Sequence, residues 1–519
     1  MKGVIAASHP RTVEAGVEIL ERGGNAVDAA VAAAFASFAA EPVLTSIGGS
    51  GIATVFDVRS GEPVYYDFFS NMPSGQPAEG MDFRKITVDF GPATQDFFIG
   101  RASVAVPGAV AGLCMMAEQM GTMSLQELAS PAIRMARSGV RLSKFLAYTL
   151  GLLEPIFTYT PEIAGIFAPG GHLLGEGEKV CLKGLGDLME NISIEGPRVF
   201  YEGYAAEALV EDQKERGGLI TESDMSGYKA RSSEPIVVEY HGYTVVLPSA
   251  PSSGGALIAL SLGLLDRMDV GRYGFLSPQH LQILADVMRV TNDARTELKL
   301  SPDGIAEFVS RENVDRYAER LLRPGDRALE NGRGSLAGNT THISVIDGSG
   351  MAVGVTTTAG EAAGYVVKGT GVIPNNMLGE VDLHPRGFHR LPPGTRLETM
   401  TAPAILLKDG VPVLAVGSGG SNRIRSAILQ VISNVVDFHL PLGEAIDAPR
   451  VHFEGGILQA EGGIPKHTLQ VLADRGYKVN AWGKKDMFFG GANAVGITSD
   501  WEPVAAGDGR RGGTTAVVL

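Results

Sequence analysis

The sequence predicts a large globular protein of mixed α and β structure. Hydrophobic residues make up 44% and charged residues 20% of the 519 positions, a balance that supports a packed core rather than a disordered chain. Alternating β-branched runs predict strands, and apolar residues at helical spacing behind a capping residue predict helices. No internal repeat and no separating linker is present, so we expect one continuous fold.

Charge and composition narrow the choice of partners. A net charge of −14 and a pI near 5.3 argue against binding to nucleic acid or to an anionic membrane face, and they favour a small-molecule partner. The two cysteines, Cys114 and Cys181, support neither a disulfide framework nor a cysteine zinc site. The most apolar run, residues 29–40, is too short to cross a bilayer, and the first residues lack a secretion signal. We therefore expect a cytoplasmic protein, unless a leader precedes this sequence.

The first part of the chain is predicted to place helices beside short strands. Residues 4–8 read as a strand, residues 12–22 have helical spacing, and Asn25 caps a second helix. The glycine-rich stretch 47–51 lets another backbone approach closely, although a tight structural turn is the preferred explanation of this loop taken alone. Residues 71–100 are rich in Gly, Pro and Asp, so we expect them to be irregular.

The middle of the chain continues this mixture. Ser124 begins a capping-box pattern that predicts a helix, and residues 236–247 alternate as two strands. Pro278 stands at the first position of a long helix that extends to about residue 298. Residues 299–339 are polar, and we expect them to form a loop-like tether ahead of the next element.

A threonine-rich hairpin follows that tether. Residues 341–346 alternate and are β-branched, residues 347–350 have turn chemistry, and residues 351–358 form a second strand. Pairing across such a turn sets Thr340 opposite one of three threonines, Thr356, Thr357 or Thr358. Several hydroxyl groups are therefore expected to converge at the end of the hairpin.

Convergent hydroxyls suggest a threonine nucleophile. A threonine hydroxyl attacks poorly unless a base takes its proton, and a freed α-amine of the same residue can be that base. This arrangement requires cleavage of the Asn339-Thr340 bond. A threonine-rich hairpin without any chemistry is the alternative, because threonine is a common strand residue.

A glycine-rich loop provides a second candidate site. Residues 411–416 read as a strand, residues 417–423 as a glycine-rich loop, and residues 424–438 as a helix. This order points backbone N–H groups at one place, which suits a phosphate or a developing oxyanion. The glycine spacing fits neither a P-loop nor a dinucleotide fingerprint. Residues 379–399, rich in Pro, Gly and charge, are a candidate lid.

These stretches together resemble the gamma-glutamyl transpeptidase (glutathione hydrolase) family of N-terminal-nucleophile hydrolases. The resemblance covers essentially the whole chain. It is carried, in order, by residues 23–30, 41–42, 47–49, 106–108, 251–255, 340–342, 375–377, 448–450 and 510–512. Each marker is weak alone, and the ordered set is specific.

The resemblance implies an α+β fold, a four-layer αββα sandwich made as one self-cleaving precursor. Cleavage before Thr340 would leave a large subunit, 1–339, intertwined with a small subunit, 340–519. The family implies a small-molecule amide substrate, no cofactor and no metal, and the sequence leaves open whether the protein forms a homo-oligomer. The implied processing and catalytic residues are Asn339, Thr340, Thr358, Gly419, Gly420 and Ser421.

By resemblance, Thr340 is the nucleophile, Asn339 precedes the cut, and Thr358 supports the nucleophile. The loop of Gly419, Gly420 and Ser421 matches the oxyanion hole, with serine where a second glycine is usual.

The expected substrate pocket departs from the family pattern. Phe69 stands where the family has an arginine that clamps the glutamyl α-carboxylate, so no clamp is expected there. Glu398 and Thr399 align with the serine pair that also holds that carboxylate, and a carboxylate at this point would repel an anionic head group. Glu380 takes the place of the acidic residue that binds the α-amine. The segment 359–361 is shorter than in the family and lacks its asparagine.

Three hypotheses follow. The first is a self-processing threonine amidohydrolase whose acyl group is either γ-glutamyl or another group with a cationic or neutral head. The second is a non-catalytic binding protein that is never cut and in which the Gly419 loop holds an anion. The third is glutathione hydrolysis with a rebuilt clamp, in which Arg396 or Arg423 replaces the lost arginine.

Overall fold

The computed structural model of the protein describes residues 1–89, 94–321, 338–384 and 387–519. Its strands, in chain order, are β1 Gly3–Ala7, β2 Ser50–Asp57, β3 Glu62–Phe68, β4 Arg84–Asp89, β5 Thr94–Ile99, β6 Val140–Arg141, β7 Lys179–Val180, β8 Arg231–Ser233, β9 Ile236–Tyr240, β10 Tyr243–Leu247, β11 Thr341–Asp347, β12 Ala352–Thr358, β13 Ala404–Lys408, β14 Val411–Gly419, β15 Val451–Glu454, β16 Ile457–Ala460, β17 Lys478–Ala481, β18 Gly491–Ile497, β19 Pro503–Gly507 and β20 Thr514–Val518.

The α-helices of the described residues occur singly or in runs between these strands. They are α1 Pro10–Glu21, α2 Ala26–Ala40, α3 Ala109–Met120, α4 Leu125–Ser138, α5 Lys144–Leu152, α6 Glu154–Phe157, α7 Pro161–Phe167, α8 Lys183–Glu195, α9 Arg198–Tyr201, α10 Tyr204–Glu215, α11 Glu222–Ser226, α12 Ser253–Asp266, α13 Pro278–Arg295, α14 Pro302–Phe308, α15 Arg311–Leu321, α16 Arg423–Val436, α17 Leu442–Asp447 and α18 Lys466–Asp474.

Two antiparallel sheets lie face to face at the centre. Among the described residues, the first sheet has the order β20-β1-β11-β12-β2-β3-β8, and the second has the order β19-β18-β14-β13-β10-β9. Side chains from both sheets form the apolar layer between them, including Val4, Phe56, Ile346, Ile405 and Val495. Alternation of apolar residues along each strand sends one set of side chains into this layer and the other set toward the helices.

Helices cover the outer face of each sheet, so the fold is the expected α+β sandwich of four layers, αββα. The helix α2 packs on β11 and β12 of the first sheet, and α12 and α16 pack on the second. All of α2 is buried, and its alanines let neighbouring helices approach closely. Asn25 forms the predicted cap of α2, with the reciprocal hydrogen bonds of a capping box.

Two segments expected to be irregular contain regular structure. Residues 71–100 include the hairpin of β4 and β5, in which Val88, Phe97 and Ile99 are buried apolar side chains. The many Gly and Pro residues around them led to the prediction of irregular structure. The predicted tether, 299–339, begins with α14, in which Ile305 and Phe308 are buried, and α15, in which Val314 and Tyr317 are buried. Residues 322–337 of that tether lie outside the described residues.

None of the helices in the described ranges is both long and apolar enough to cross a membrane.

Candidate active site

The hairpin of β11 and β12 determines which threonine faces Thr340. Thr341 pairs with Thr357, and one further step of this antiparallel register sets Thr340 opposite Thr358. The spacing of the hairpin left three candidates for this position, the family resemblance named Thr358, and strand pairing places Thr358 there. The end of the hairpin is buried, with Thr340 at 5% and Thr358 at 6% exposure.

The hydroxyl of Thr358 points at the bond expected to be cut. Its Oγ1 donates a hydrogen bond to the carbonyl oxygen of Asn339 across 2.6 Å. The same Oγ1 accepts a hydrogen bond from the backbone N–H of Gly360 at 3.0 Å. Because the Gly360 N–H occupies a lone pair, the hydroxyl proton is directed to the Asn339 carbonyl.

The residues before Thr340 are held on several sides. The side-chain amide of Asn339 donates to the Val43 carbonyl at 2.9 Å, and its backbone N–H donates to Glu361 Oε1 at 3.3 Å. Nη1 of Arg511 donates to the Gly338 carbonyl at 2.9 Å. These contacts fix the plane of the Asn339-Thr340 peptide relative to the Thr358 hydroxyl.

The glycine-rich loop lies against this same peptide. The strand β14 extends to Gly419, beyond its predicted end at residue 416, and a Cβ at Gly419 would lie 2.3 Å from the Thr340 carbonyl oxygen. A Cβ on Gly338 would lie 2.4 Å from the backbone nitrogen of Ser421. Only glycine fits at these two close approaches. The loop therefore flanks both sides of the Asn339-Thr340 bond.

Ser421 and Gly420 have unusual backbone conformations. Gly420 has φ +130° and Ser421 has φ +49°, in the left-handed region that few residues other than glycine adopt. The Ser421 hydroxyl donates to Oδ2 of Asp382 at 2.7 Å, which ties the loop to the segment after Glu380.

A small pocket opens beside Thr340 and brings most of the predicted site residues together. Its volume is about 40 Å³, enough for a few water molecules and not for an amide substrate. Its lining includes the predicted residues Phe69, Asn339, Thr340, Thr358, Glu380, Glu398, Thr399 and Ser421. Gly338 and Asn339 form part of the wall of this pocket.

The carboxyl groups around the pocket are buried close to one another. Burial raises the pKa of Glu361, and burial together with the charges of Glu361 and Asp382 raises the pKa of Glu380 well above its usual range. In the described structure, Oε1 of Glu380 and Oε2 of Glu361 have no hydrogen-bond partner. Glu380 lines the pocket, so its Oε1 can contact a ligand there, whereas Glu361 is not part of the lining.

Arg396 and Arg423, the arginines proposed to rebuild a carboxylate clamp, do not line the pocket. Arg396 instead binds Asp67 at 2.9 Å and the Tyr228 hydroxyl at 2.7 Å, and it donates to the Phe69 carbonyl. Arg423 is fully buried, and its Nε donates to the Phe488 carbonyl at 3.1 Å.

Sequence reasoning missed three residues at the site. Arg295, at the end of α13, lines the pocket, and Glu361 and Arg511 hold the segment before Thr340. For Arg295 no local signal existed, because its partner Glu398 lies 103 positions away. In the sequence, Glu361 belongs to a shortened segment and Arg511 to a terminal marker of the family, and neither position indicates a contact with Gly338 or Asn339.

A buried glutamate supports the start of β11. Glu41 accepts hydrogen bonds from the hydroxyls of Thr12 and Thr341, the latter at 2.6 Å. Burial raises the pKa of Glu41 to about 7, against the opposing effect of these two hydrogen bonds. This contact anchors the residue directly after Thr340.

Across the described ranges, no three His, Cys, Asp or Glu side chains form a group that could hold a metal ion.

Comparison with known proteins places this geometry in context. The family model described as Gamma-glutamyltranspeptidase matches residues 12–518. The chain is 33% identical to the Acylase ACY 1 proenzyme of Pseudomonas sp. (strain V22), over all of this chain and 94% of that protein. It is 30% identical to the Glutathione hydrolase proenzyme of Bacillus subtilis (strain 168), over 95% of this chain and 88% of that protein.

Solved structures show the same relationship. The crystal structure of cephalosporin acylase from Bacillus halodurans superimposes with a TM-score of 0.85 at 25% identity, over 99% of this chain and 95% of that chain. Helicobacter pylori gamma-glutamyltranspeptidase superimposes with a TM-score of 0.54 at 30% identity, over 60% of this chain and 90% of that chain.

Proposed function

Because the chain belongs to the gamma-glutamyltranspeptidase family, which includes glutathione hydrolases and acylases, we propose that it is a self-processing threonine amidohydrolase. It is a hydrolase-like enzyme of that family. The observation that carries the proposal is the hydrogen bond from the Thr358 hydroxyl to the Asn339 carbonyl. This contact puts a donor on the carbonyl that Thr340 must attack.

The first reaction is cleavage of the chain itself. The Thr340 hydroxyl attacks the carbonyl carbon of Asn339, and the C–N bond of that peptide breaks. An ester forms between Asn339 and the Thr340 oxygen, and the hydroxyl proton ends on the new α-amine. Water then hydrolyses the ester to a free Asn339 carboxylate. The Thr358 hydroxyl stabilises the negative charge that develops on the Asn339 oxygen.

The second reaction uses the product of the first. Departure of Gly338 and Asn339 from the pocket opens space beside Thr340, whose free amine takes the proton of its own hydroxyl. The hydroxyl attacks a substrate amide, the amine leaves, and an acyl-enzyme remains on Thr340. Backbone N–H groups of Gly420 and Ser421 hold the oxyanion, and water or an amine releases the acyl group.

Strand order explains why the subunits 1–339 and 340–519 would remain together after cleavage. In the first sheet, β11 lies between β1 of the large subunit and β12 of the small one. The strand β12 pairs in turn with β2 of the large subunit over seven residue pairs. Separation would break these ladders and expose the apolar layer between the sheets.

The charges of the pocket favour an acyl group without a carboxylate. Among the described residues, Asp382 and Glu398 line it against one arginine, Arg295, and Phe69 presents an apolar ring. An anionic head group would be repelled, whereas a neutral or cationic head is accepted. A small non-glutamyl amide is therefore the first candidate substrate, in keeping with the acylase relatives.

A γ-glutamyl amide is the second candidate. It is favoured by Arg295 in the pocket lining, which has the charge needed to bind an α-carboxylate, and by Glu380, whose buried oxygen can accept from an ammonium group.

Mass analysis and terminal sequencing test the proposal. Purified protein should give two fragments, the smaller beginning at Thr340, whereas Thr340→Ala should remain one chain of 54.5 kDa and turn over no amide. Thr515→Ala, at an exposed strand position, should be cut like the wild type. Active material with Met1 as its sole amino terminus would contradict the proposal.

A further inference from the structure

An ion pair in the pocket has no part in the reactions above. Arg295 ends α13, and its Nη2 donates to Oε1 of Glu398 across 3.3 Å. Both side chains line the pocket that contains Thr340, and both reach solvent, at 25% and 32% exposure. Within the described part of the chain, Arg295 is the one cationic side chain of the lining. The carboxylate of Glu398 is therefore paired with the guanidinium group that would bind a carboxylate of a ligand.

The backbone on both sides of Glu398 is fixed. The N–H of Leu397 donates to the Ser70 carbonyl at 2.9 Å, and the N–H of Thr399 donates to the Pro251 carbonyl at 3.0 Å. Leu397 is fully buried. The position of Glu398 is thus set by the fold rather than by its contact with Arg295.

Arg295 is held by a second contact. Its Nη1 lies 3.5 Å from Oδ1 of Asn422, whose side-chain amide donates to Glu454 at 2.9 Å. The contacts of Arg295 with Glu398 and Asn422 use two of the five N–H donors of its guanidinium group. The Glu398 contact is a long single hydrogen bond, unlike the short paired bonds of a bidentate arginine and carboxylate. Glu398 can therefore be exchanged for another acceptor.

We propose that Glu398 is a specificity-determining residue of the acyl pocket, because it occupies Arg295 and so excludes acyl groups that end in a carboxylate. This inference rests on the proposed function, since it takes the pocket beside Thr340 as the acyl site. A ligand carboxylate that displaced Glu398 would leave it unpaired in a pocket that Asp382 also lines. The exchange replaces one carboxylate by another and adds repulsion. A neutral or cationic head group avoids that cost.

Removal of one charge tests this inference. Glu398→Gln keeps the shape of the side chain and cannot neutralise Arg295. The substrates are glutaryl-p-nitroanilide, which ends in a carboxylate, and its terminal carboxamide. In E398Q we expect the ratio of kcat/KM for carboxylate over carboxamide to rise about 10-fold or more, as a charge-assisted hydrogen bond forms with Arg295. Glu398→Ser provides the same test if E398Q folds poorly.

Two further variants identify the partner. The double variant E398Q/R295Q should lose the gain, because the pairing energy depends on both residues. Glu190→Gln removes a carboxylate that pairs with Arg137 at an exposed site outside the pocket lining, and its ratio should equal that of the wild type. A gain that persists in the double variant would overturn the role of Arg295.

Binding gives a second readout that needs no turnover. By calorimetry, cut E398Q should bind glutarate about 10-fold or more tightly than cut wild type. Cut protein that hydrolyses the carboxamide, with an unchanged ratio and an unchanged affinity in both E398Q and E398S, would overturn this inference and leave the proposed function intact. Wild-type protein that is never cut and hydrolyses neither substrate would overturn both.

Discussion

Replacement of Thr358 by valine tests the proposed self-cleavage most directly. Valine has nearly the shape of threonine and lacks the hydroxyl that donates to the Asn339 carbonyl at 2.6 Å. Loss of one preorganised donor to a developing oxyanion typically slows a reaction by about 10²–10³-fold, or about 2.7–4 kcal/mol. Burial of Thr358 places this contact at the strong end, since water cannot easily replace the donor.

The assay follows cleavage in time. Protein made by cell-free synthesis is sampled on denaturing gels, and the rate at which the full-length chain disappears is compared between variants. Thr358→Val should accumulate as the uncut chain, and Thr358→Ser, which keeps the hydroxyl, should be cut within about 10-fold of the wild-type rate.

Two controls separate chemistry from folding. Thr357→Val alters the neighbouring residue of β12, whose hydroxyl contacts Thr45 at 3.0 Å rather than Asn339, and it should be cut normally. Thr358→Val also removes the acceptor of the Gly360 N–H, which costs about 1–3 kcal/mol of stability and is measured by thermal unfolding. If Thr358→Val is cut at the wild-type rate, the assigned role of this hydroxyl is wrong.

Two further predictions concern the backbone and a buried carboxyl. Gly419→Ala should block cleavage, because its Cβ would lie 2.3 Å from the Thr340 carbonyl oxygen; Gly443→Ala, whose Cβ meets nothing within 4 Å, should be cut normally on the same gels. The pKa of Glu41 is raised from 4.5 to about 7 in the folded protein, so its contribution to stability is full below about pH 4.5 and is lost as the pH rises through about 7. Glu41→Gln is compared with its parent in the uncut Thr340→Ala background. The unfolding free energy of the variant minus that of the parent should therefore rise by about 3 kcal/mol from pH 4.5 to pH 8. Urea unfolding at both pH values measures this gain, and an equal pH dependence with and without Glu41 would contradict it.

Local elements could be predicted because their causes are local. The cap at Asn25, the alternation of β11 and the turn that follows depend on contacts between residues a few positions apart. The composition of residues 71–100 did not predict the hairpin of β4 and β5, because many Gly, Pro and Asp residues surround its three buried apolar side chains. The helices α14 and α15 were missed because their exposed faces are polar and few of their residues are buried.

The sequence by itself identified residues of the candidate site, including Thr340, Thr358 and the glycine-rich loop. Only the tertiary structure decided how they meet. Strand register set Thr358 opposite Thr340, and packing of α13 brought Arg295 to Glu398 across 103 positions of sequence. Electrostatic energy depends on distance in space and on burial, not on distance along the chain. For this reason the pairing of Glu398 with Arg295 could be found only in the folded chain, whereas the sequence already predicted the carboxylate at position 398.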